Sequence, residues 1–383
     1  MKRIAALVLA LALVTTLFAG CGTTASKGFE IALITDKGNI DDKSFNQGSW
    51  EGVVAFADAN KITRKYYKPE EANDAGYLAA IDLAVTGGAK VVVTPGYLFE
   101  VPVYEAQTKY PNVKFILLDG APHSAGTKDV PAVYKTEGNV ASVTYAEEQP
   151  GYLAGYAAVQ DGYTKIGFMG GMAVPAVQAY GYGYLQGAEA AAAKLGLADG
   201  SISATYHYTG DFAETDTNKA TAKTMYQEGT EVIFACGGSV GKSVMAAANE
   251  AGKKVIGVDV DQRYDSETVI TSAMKGLGAS VQAILKSIYT DKSWDTYGAK
   301  TTVFDALNDG ISLPTTVIGQ ANGNAFDRFK SFTKADYDAL YKTLSDGSVK
   351  PIRTINVAAE NGYATADELV SGLNLKKVAV TVR

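Results

Sequence analysis

Polar and aromatic side chains lie where several apolar runs of this sequence end. Asp36 follows the apolar stretch 29–35, and segment 41–47, Asp-Asp-Lys-Ser-Phe-Asn-Gln, comes soon after it. Asp119 and Asp259 each end a further apolar run. A carboxylate accepts hydrogen bonds and an aromatic ring offers a flat apolar face, so these residue types can hold a small polar molecule. We therefore take them as candidates for the lining of a ligand-binding cleft.

Ordinary structural roles compete with ligand binding at these positions. Asp42 or Ser44 can cap the helix that begins here, which is what such residues most often do. Phe45 at the start of that helix can face the core, and Asp119 and Asp259 can be buried caps. The residues alone leave these alternatives open.

The same residue types argue against catalysis. Cys236 ends an apolar run that predicts a buried strand, and a catalytic thiol would need an activating base nearby. The sequence contains two histidines, His123 and His207. Segment 236–243 resembles a phosphate-binding loop, but that motif requires Gly at the position of Cys236. We expect no catalytic residue, no metal and no cofactor.

The N-terminus predicts export. Lys2 and Arg3 precede the apolar run 4–18, and the small residues Ala and Gly then lead to Cys21. This is the order of the charged, apolar and cleavage regions of a secretory signal. The run is shorter than the ~20 apolar residues that usually span a bilayer.

Residues 17–21, Leu-Phe-Ala-Gly-Cys, resemble a bacterial lipobox, whose cysteine is lipidated and becomes the mature N-terminus. We expect residues 1–20 to be a signal peptide and 21–27 a tether from lipidated Cys21. The protein would then lie outside the cytoplasm, anchored to the cell membrane. The alternative is an ordinary signal peptide cut nearby, with Cys21 incidental.

Composition limits the remaining possibilities. The formal net charge is −6, which argues against a nucleic-acid partner because such a partner favours a basic surface. The chain has 383 residues, of which 47% are apolar, and this is enough for two compact domains. After residue 27 no apolar run is long enough to cross a membrane.

Short β-rich runs alternate with helical patterns in two successive sets. Continuous apolar runs between helices predict parallel strands that are covered on both faces. The expected fold class is therefore α/β, with two doubly wound parallel-sheet lobes joined by a hinge, like periplasmic binding proteins of type I. Open sheets of this kind bind ligands beyond the carboxyl ends of their strands, which predicts a cleft between the lobes.

We place the lobe boundaries where the alternating pattern restarts and in a segment rich in Gly, Asn and Thr. The expected first lobe comprises residues 28–140 and 276–320. The expected second lobe comprises residues 141–275 and 321–383. Hinge closure around a ligand accompanies such an arrangement.

Five motifs occur in order along the chain: 42–47 Asp-Lys-Ser-Phe-Asn-Gln, 116–119 Ile-Leu-Leu-Asp, 147–155 with Gly-Tyr-Leu-Ala-Gly, 167–172 and 256–262. Through them the sequence resembles the basic membrane protein family of ABC-transporter lipoproteins, which bind purine nucleosides. The resemblance covers essentially the whole mature chain. It implies a monomeric solute-binding lipoprotein that captures a purine nucleoside for a permease and its cytoplasmic ATPase.

The resemblance also implies roles for residues that would contact the base. Two aromatic rings, Phe45 and Phe212, would stack on its faces, and stacking of this kind contributes ~1–3 kcal/mol per base in single-stranded nucleic acid sites. Asn46 and Asp119 would address the edges of the base.

A second group would hold the sugar. Asp36, Asp259 and Lys275 would bind the ribose hydroxyls, since a carboxylate can accept from both members of a vicinal diol. Gly237 or Gly238 would add a backbone contact. Like the roles of the aromatic rings, these assignments are implied by the family.

Alternatives remain for both the residues and the ligand. Asp261 or Gln262 could make the contact assigned to Asp259, and Lys275 near a hinge could simply be solvated. Segment 180–184, Tyr-Gly-Tyr-Gly-Tyr, departs from the family pattern and could reshape the pocket. The competing functions are binding of a free sugar or another polar metabolite, cleavage of a nucleoside, and adhesion.

Overall fold

Two mainly parallel sheets, each covered by helices on both faces, form the two lobes of the protein. A computed structural model describes residues 29–127, 129–320 and 323–383. The predicted signal peptide, the tether and Cys21 lie outside the described residues. Within those residues, no helix combines the length and apolar character needed to cross a bilayer.

The first sheet has six parallel strands in the order β11-β5-β4-β3-β1-β2. Its strands are β1 Ile31–Ile34, β2 Arg64–Tyr67, β3 Val91–Pro95, β4 Lys114–Leu118, β5 Val140–Tyr145 and β11 Lys300–Phe304. The helices of this lobe are α1 Phe45–Asn60, α2 Asp74–Thr86, α3 Glu100–Lys109 and α8 Leu277–Tyr289. The central strands are buried on both faces, where two apolar clusters cover them.

The second sheet has seven strands in the order β12-β10-β9-β8-β6-β7-β13, and β12 alone runs antiparallel to its neighbour. Its strands are β6 Lys165–Gly170, β7 Ile202–Tyr208, β8 Val232–Cys236, β9 Lys254–Asp259, β10 Val269–Lys275, β12 Ile311–Ser312 and β13 Val378–Val382. The helices of this lobe are α4 Glu148–Gln160, α5 Pro175–Lys194, α6 Asp216–Gln227, α7 Val240–Ala251, α9 Lys334–Ser345 and α10 Ala366–Gly372.

Sheet membership places the exchanges between lobes differently from the expected boundaries. The strand β5, Val140–Tyr145, pairs with β4 in the first sheet, whereas residues 141 onward were expected in the second lobe. Ile311 pairs with Lys275 in the second sheet, whereas 276–320 was expected in the first lobe. The sequence does not predict β5 as a buried strand, because Ser142 interrupts its apolar run. In the structure Ser142 is buried like its apolar neighbours.

Helices α4 and α5 approach each other through glycines spaced four apart on each helix. A Cβ atom added at Gly155 would lie 1.9 Å from the carbonyl oxygen of Tyr184, and one at Gly187 would lie 2.0 Å from that of Tyr152. Only glycine permits this separation, because any side chain would overlap the facing backbone. The contact fixes the start of α4 against α5, where both helices border the cleft.

Candidate functional site

A cavity of about 310 Å³ lies between the carboxyl ends of the two sets of strands. Both lobes contribute to it, as the cleft prediction requires. The sequence-predicted residues that line it are Asp36, Phe45, Asn46, Asp119, Phe212, Gly237, Gly238, Asp259 and Lys275.

Asp261 is the one predicted site residue that does not line the cavity. Its carboxylate pairs with the Arg263 guanidinium, with 2.6 Å between Oδ2 and Nη2. Asp259, two residues earlier, lies at the end of β9 and faces the cavity. The structure therefore separates two aspartates that spacing alone could not rank, and it places Asp259, not Asp261, in the cavity wall.

The first-lobe wall is a network of hydrogen bonds around Asn46. Its Nδ2 donates to Asp36 Oδ1 at 2.8 Å and to Asp42 Oδ2 at 2.9 Å, while its Oδ1 accepts from the Asp36 N–H at 3.1 Å. Asp42 also accepts from the backbone N–H groups of Ser44, Asn46 and Gln47, so it caps α1. Asn46 therefore positions Asp36, and its predicted contact with a base edge stays a prediction.

Asp119 and Asp259 occupy equivalent places in the two sheets. Asp119 follows β4, which lies between β3 and β5, and Asp259 ends β9, which lies between β8 and β10. Both residues have a left-handed backbone, with φ of 58° and 66°. Asp is among the few residue types that tolerate this conformation, which turns the chain sharply at the strand end.

Lys275 joins these carboxylates at the centre of the site. Its Nζ lies 2.5 Å from Asp119 Oδ2, 3.2 Å from Glu147 Oε1 and 4.0 Å from Asp259 Oδ1. Its side chain is 2% exposed, which rules out the solvated alternative. Because Asp119 is in the first lobe and Lys275 in the second, the ion pair also bridges the cleft.

Two further contacts hold the lobes together beside the cavity. Ser44 Oγ donates to Asp259 Oδ2 at 2.5 Å, and Gln262 Nε2 donates to the Lys43 carbonyl at 2.7 Å. The residue considered as a helix cap, Ser44, thus bonds to the opposite lobe instead. The lobes are in direct contact around the site.

The protonation of the site is shifted by its burial. Burial raises the pKa of Asp36 to about 6, against the opposing effect of the Gly38 N–H and Asn46. Burial likewise raises the pKa of Asp119 to about 7, although the Lys275 charge opposes it. Burial lowers the pKa of Lys275, but the carboxylates around it outweigh burial and hold that pKa above its ordinary value.

Asp119 keeps one carboxylate oxygen for a ligand. Asp119 Oδ1 is buried and has no hydrogen-bond partner among the described residues. A buried acceptor without a donor costs about 1–3 kcal/mol of stability, so a ligand that supplies a hydrogen-bond donor here removes that cost on binding. The opposite oxygen of the same group is already bound to Lys275.

The aromatic rings come from opposite lobes. Phe45 begins α1, and the Lys275 ammonium lies 4.8 Å from its ring centre. Phe212 lies in the loop after β7 and packs against Gly171, where a Cβ atom would come within 2.4 Å of the ring. Gly238, with φ of 55°, carries the chain past Phe212 into α7 without a side chain over the cavity. Both rings are partly exposed.

Sequence reasoning assigned no role to several side chains in the cavity wall, among them Glu100, Glu147, Tyr180 and Arg353. Glu147 stood inside a family motif but was given no role, and Tyr180 was noted only as a departure from the family pattern. Tyr180 donates to Asp259 Oδ1 at 3.4 Å. Arg353 lies in an irregular segment near the C-terminus and carries no motif, so the sequence held no signal for it.

The charge of the lining is strongly acidic. Its carboxyl groups are Asp36, Asp42, Glu100, Asp119, Glu147 and Asp259, whereas its cations are Lys275 and Arg353. Both cations are already paired with carboxylates. Among the residues that the structure describes, no group of acidic, His or Cys side chains is arranged to hold a metal ion. Such a cavity suits a ligand that donates hydrogen bonds.

A family profile described as "ABC transporter substrate-binding protein PnrA-like" matches residues 29–346. The chain belongs to the Bmp family. The nucleoside-binding protein BmpA of Lactococcus lactis subsp. cremoris is 30% identical over 346 residues, covering 82% of this chain and 91% of the relative. Basic membrane protein A of Borreliella burgdorferi is 29% identical over 285 residues, covering 73% and 78%.

Solved structures support the Bmp-family fold. A solute-binding protein of an ABC transporter system from Aeropyrum pernix K1 aligns with a TM-score of 0.73 at 21% identity, covering 90% of this chain and 98% of that one. The family resemblance and the two-lobed α/β fold are thereby confirmed. Members of this family are extracytoplasmic substrate-binding proteins of ABC transporters, and membership implies a ligand, a permease and an ATPase as partners.

Proposed function

We propose that this protein captures a purine nucleoside between its lobes and delivers it intact to an ABC permease. The observation that carries the proposal is that one cavity is lined both by aromatic rings from opposite lobes, Phe45 and Phe212, and by buried carboxylates. A purine offers two π-faces to such rings, and its ribose offers hydroxyl donors to carboxylates. The relative in Lactococcus lactis is named a nucleoside-binding protein, which agrees with the proposal.

The polar groups are divided between the two parts of a nucleoside. The unpartnered Oδ1 of Asp119 can accept from an N–H on the base edge, as the family resemblance implies. Asp36 uses Oδ1 for Gly38 and Asn46, which leaves Oδ2 for a ribose hydroxyl. Asp259, Lys275, Gly237 and Gly238 line the same cavity.

We also propose an oligomeric state and a cellular location for the protein. It acts as a monomer that carries no cofactor and performs no catalysis, and Cys21 anchors it to the outer face of the cell membrane through a lipid. The cavity of about 310 Å³ is within the range of small-molecule pockets.

The test starts from residues 26–383, which contain every described residue. The purified protein is denatured, and any released small molecule is identified by mass spectrometry. Thermal unfolding is then followed with inosine, guanosine, adenosine, cytidine or ribose. Intact purine nucleoside and a rise in Tm with purine nucleosides support the proposal. Stabilisation by ribose alone would indicate a sugar-binding protein, and free base accumulating with time would indicate an enzyme.

A further inference from the structure

One cavity side chain comes from the segment that follows residue 346, where the family match ends. Arg353 lies in segment 347–383, whose β13 extends the edge of the second sheet beside β7. Residues 351–357 around it form no helix or strand. The family match therefore assigns no role to this guanidinium.

The backbone beside Arg353 is held firmly against the second lobe. The Ile352 N–H donates to Gln186 Oε1 at 2.8 Å, and Gln186 Nε2 donates to the Ile352 carbonyl at 2.9 Å. Gln186 lies on α5, which packs closely on α4 through the glycine contacts described above. Arg353 is thus set in a fixed position relative to the start of α4.

The guanidinium bonds to the point where the chain passes from β5 into α4. Its Nη1 donates to Glu148 Oε2 at 2.7 Å and to the Tyr145 carbonyl at 2.8 Å. Its Nη2 lies 2.6 Å from Glu147 Oε2. Arg353 therefore ties the C-terminal segment to a crossing between the lobes.

Glu147 is shared between two cations. Its side chain is 1% exposed, with Oε2 paired to Arg353 and Oε1 lying 3.2 Å from Lys275 Nζ. The Lys275 ammonium lies closer to Asp119, at 2.5 Å. A buried carboxylate that loses one of two cations pairs more strongly with the other, because a buried charge without a partner is costly.

We propose that Arg353 is a positioning residue for ligand capture, which holds Glu147 so that Lys275 stays on Asp119. The inference rests on the proposed function, because Asp119 and Lys275 are the groups that would meet the nucleoside. Without Arg353, the Glu147 carboxylate draws the ammonium away from Asp119. The acceptor arrangement at Asp119 is then lost, although every residue that touches the ligand is still present.

The test is a double-mutant cycle on inosine affinity, measured by calorimetry with residues 26–383. Arg353→Met should raise the Kd about tenfold, whereas the same change in a Glu147→Gln background should change it about twofold or less, since the coupling acts through the carboxylate. Arg353→Lys, which keeps the charge but not the forked geometry, should fall between wild type and Arg353→Met. The matched control is Arg328→Met, since Arg328 bonds to the Ser266 and Val269 carbonyls in the same lobe away from the cavity.

The outcomes separate this inference from the function on which it rests. The positioning role is overturned if wild type and Arg353→Met bind inosine equally. It is also overturned if Arg353→Met loses the same factor of affinity in both Glu147 backgrounds. Neither result contradicts nucleoside capture. A wild type that binds no nucleoside overturns the proposed function, and this inference with it. If Arg353→Met does not fold, as judged by circular dichroism, the cycle is run with Arg353→Lys, and an affinity loss that Glu147→Gln does not relieve overturns the inference.

Discussion

At the scale of single residues, the proposed function depends most on the Phe45 ring. We expect Phe45→Ala to weaken inosine binding by about 5-fold to 150-fold, since one stacked aromatic face contributes ~1–3 kcal/mol. The measurement is calorimetric titration. Phe29→Ala is the matched control, because Phe29 is a partly exposed ring of the same lobe that does not line the cavity. Unchanged affinity in Phe45→Ala would contradict stacking at this position.

Asp36 should make binding depend on pH. Its pKa is about 6 because of burial, and the negative charges of Asp42 and Asp259 add to that rise. A ribose hydroxyl donates to the ionised form, so inosine affinity should fall as pH drops from about 7 to about 5. Asp36→Asn should bind more weakly at neutral pH with a flatter profile. Glu105→Gln, an exposed carboxyl outside the cavity, should keep the wild-type profile.

Replacement of Asp36 should also stabilise the ligand-free protein against unfolding. A carboxyl with a raised folded-state pKa stabilises the fold fully below its unfolded pKa of 3.8, and that contribution is lost as pH rises through about 6. Ionised Asp36 therefore destabilises the ligand-free protein at neutral pH. Asp36→Asn should raise the free energy of unfolding by about 2 kcal/mol near pH 7 and by less near pH 4, as measured by urea denaturation. A loss of stability at neutral pH would contradict the burial of that charge.

The positions of Phe212, Lys275 and the glycines of the site came from the family resemblance, and the strand-end carboxylates were predictable from the fold, since the carboxyl ends of the strands meet at one cleft. The choice between Asp259 and Asp261 was not, because it depends on the left-handed turn at Asp259 and on Arg263, which takes up the other carboxylate. The burial of Lys275 depends on three carboxylates brought from distant parts of the chain. Arg353 could not be predicted, because it is placed there by hydrogen bonds of Ile352 and of its own guanidinium to residues far away in the chain.

At the scale of elements, the closeness of α4 and α5 supports the second-lobe wall of the site. We expect Gly155→Ala to lower the free energy of unfolding by about 2 kcal/mol or more, because its Cβ would overlap the Tyr184 carbonyl. Gly138→Ala is the control, since a Cβ there meets no atom within 4 Å. Urea denaturation of both variants measures the difference, and equal stability would refute the tight helix contact.

The order of elements was largely predictable from alternating apolar and helical patterns, but their distribution between lobes was not. The strand β5 carries Ser142 and Thr144 between apolar residues, so its sequence does not show the continuous run expected of a buried parallel strand. Its pairing with β4 and β11 decides where the chain crosses. Strand β12 has only Ile311–Ser312, too short for any sequence pattern to reveal.

At the scale of the whole molecule, family membership makes the protein a substrate-binding component, and the proposed lipid anchor places it at the membrane. We expect the full chain in a bacterial host to fractionate with membranes, whereas Cys21→Ser should appear in the soluble exported fraction. Cys236→Ser is the matched control, since Cys236 is the second cysteine of the sequence and is buried. Wild-type protein that appears in the soluble exported fraction would contradict lipidation at Cys21.

The central claim is that a purine nucleoside is held between the lobes by Phe45 and Phe212. A crystal structure of the inosine complex tests it most directly. We expect the base between the two rings, with an N–H of the base on Asp119 Oδ1 and the ribose hydroxyls on Asp36 and Asp259. A nucleoside bound elsewhere, or a base in the cleft that touches neither ring, would contradict it.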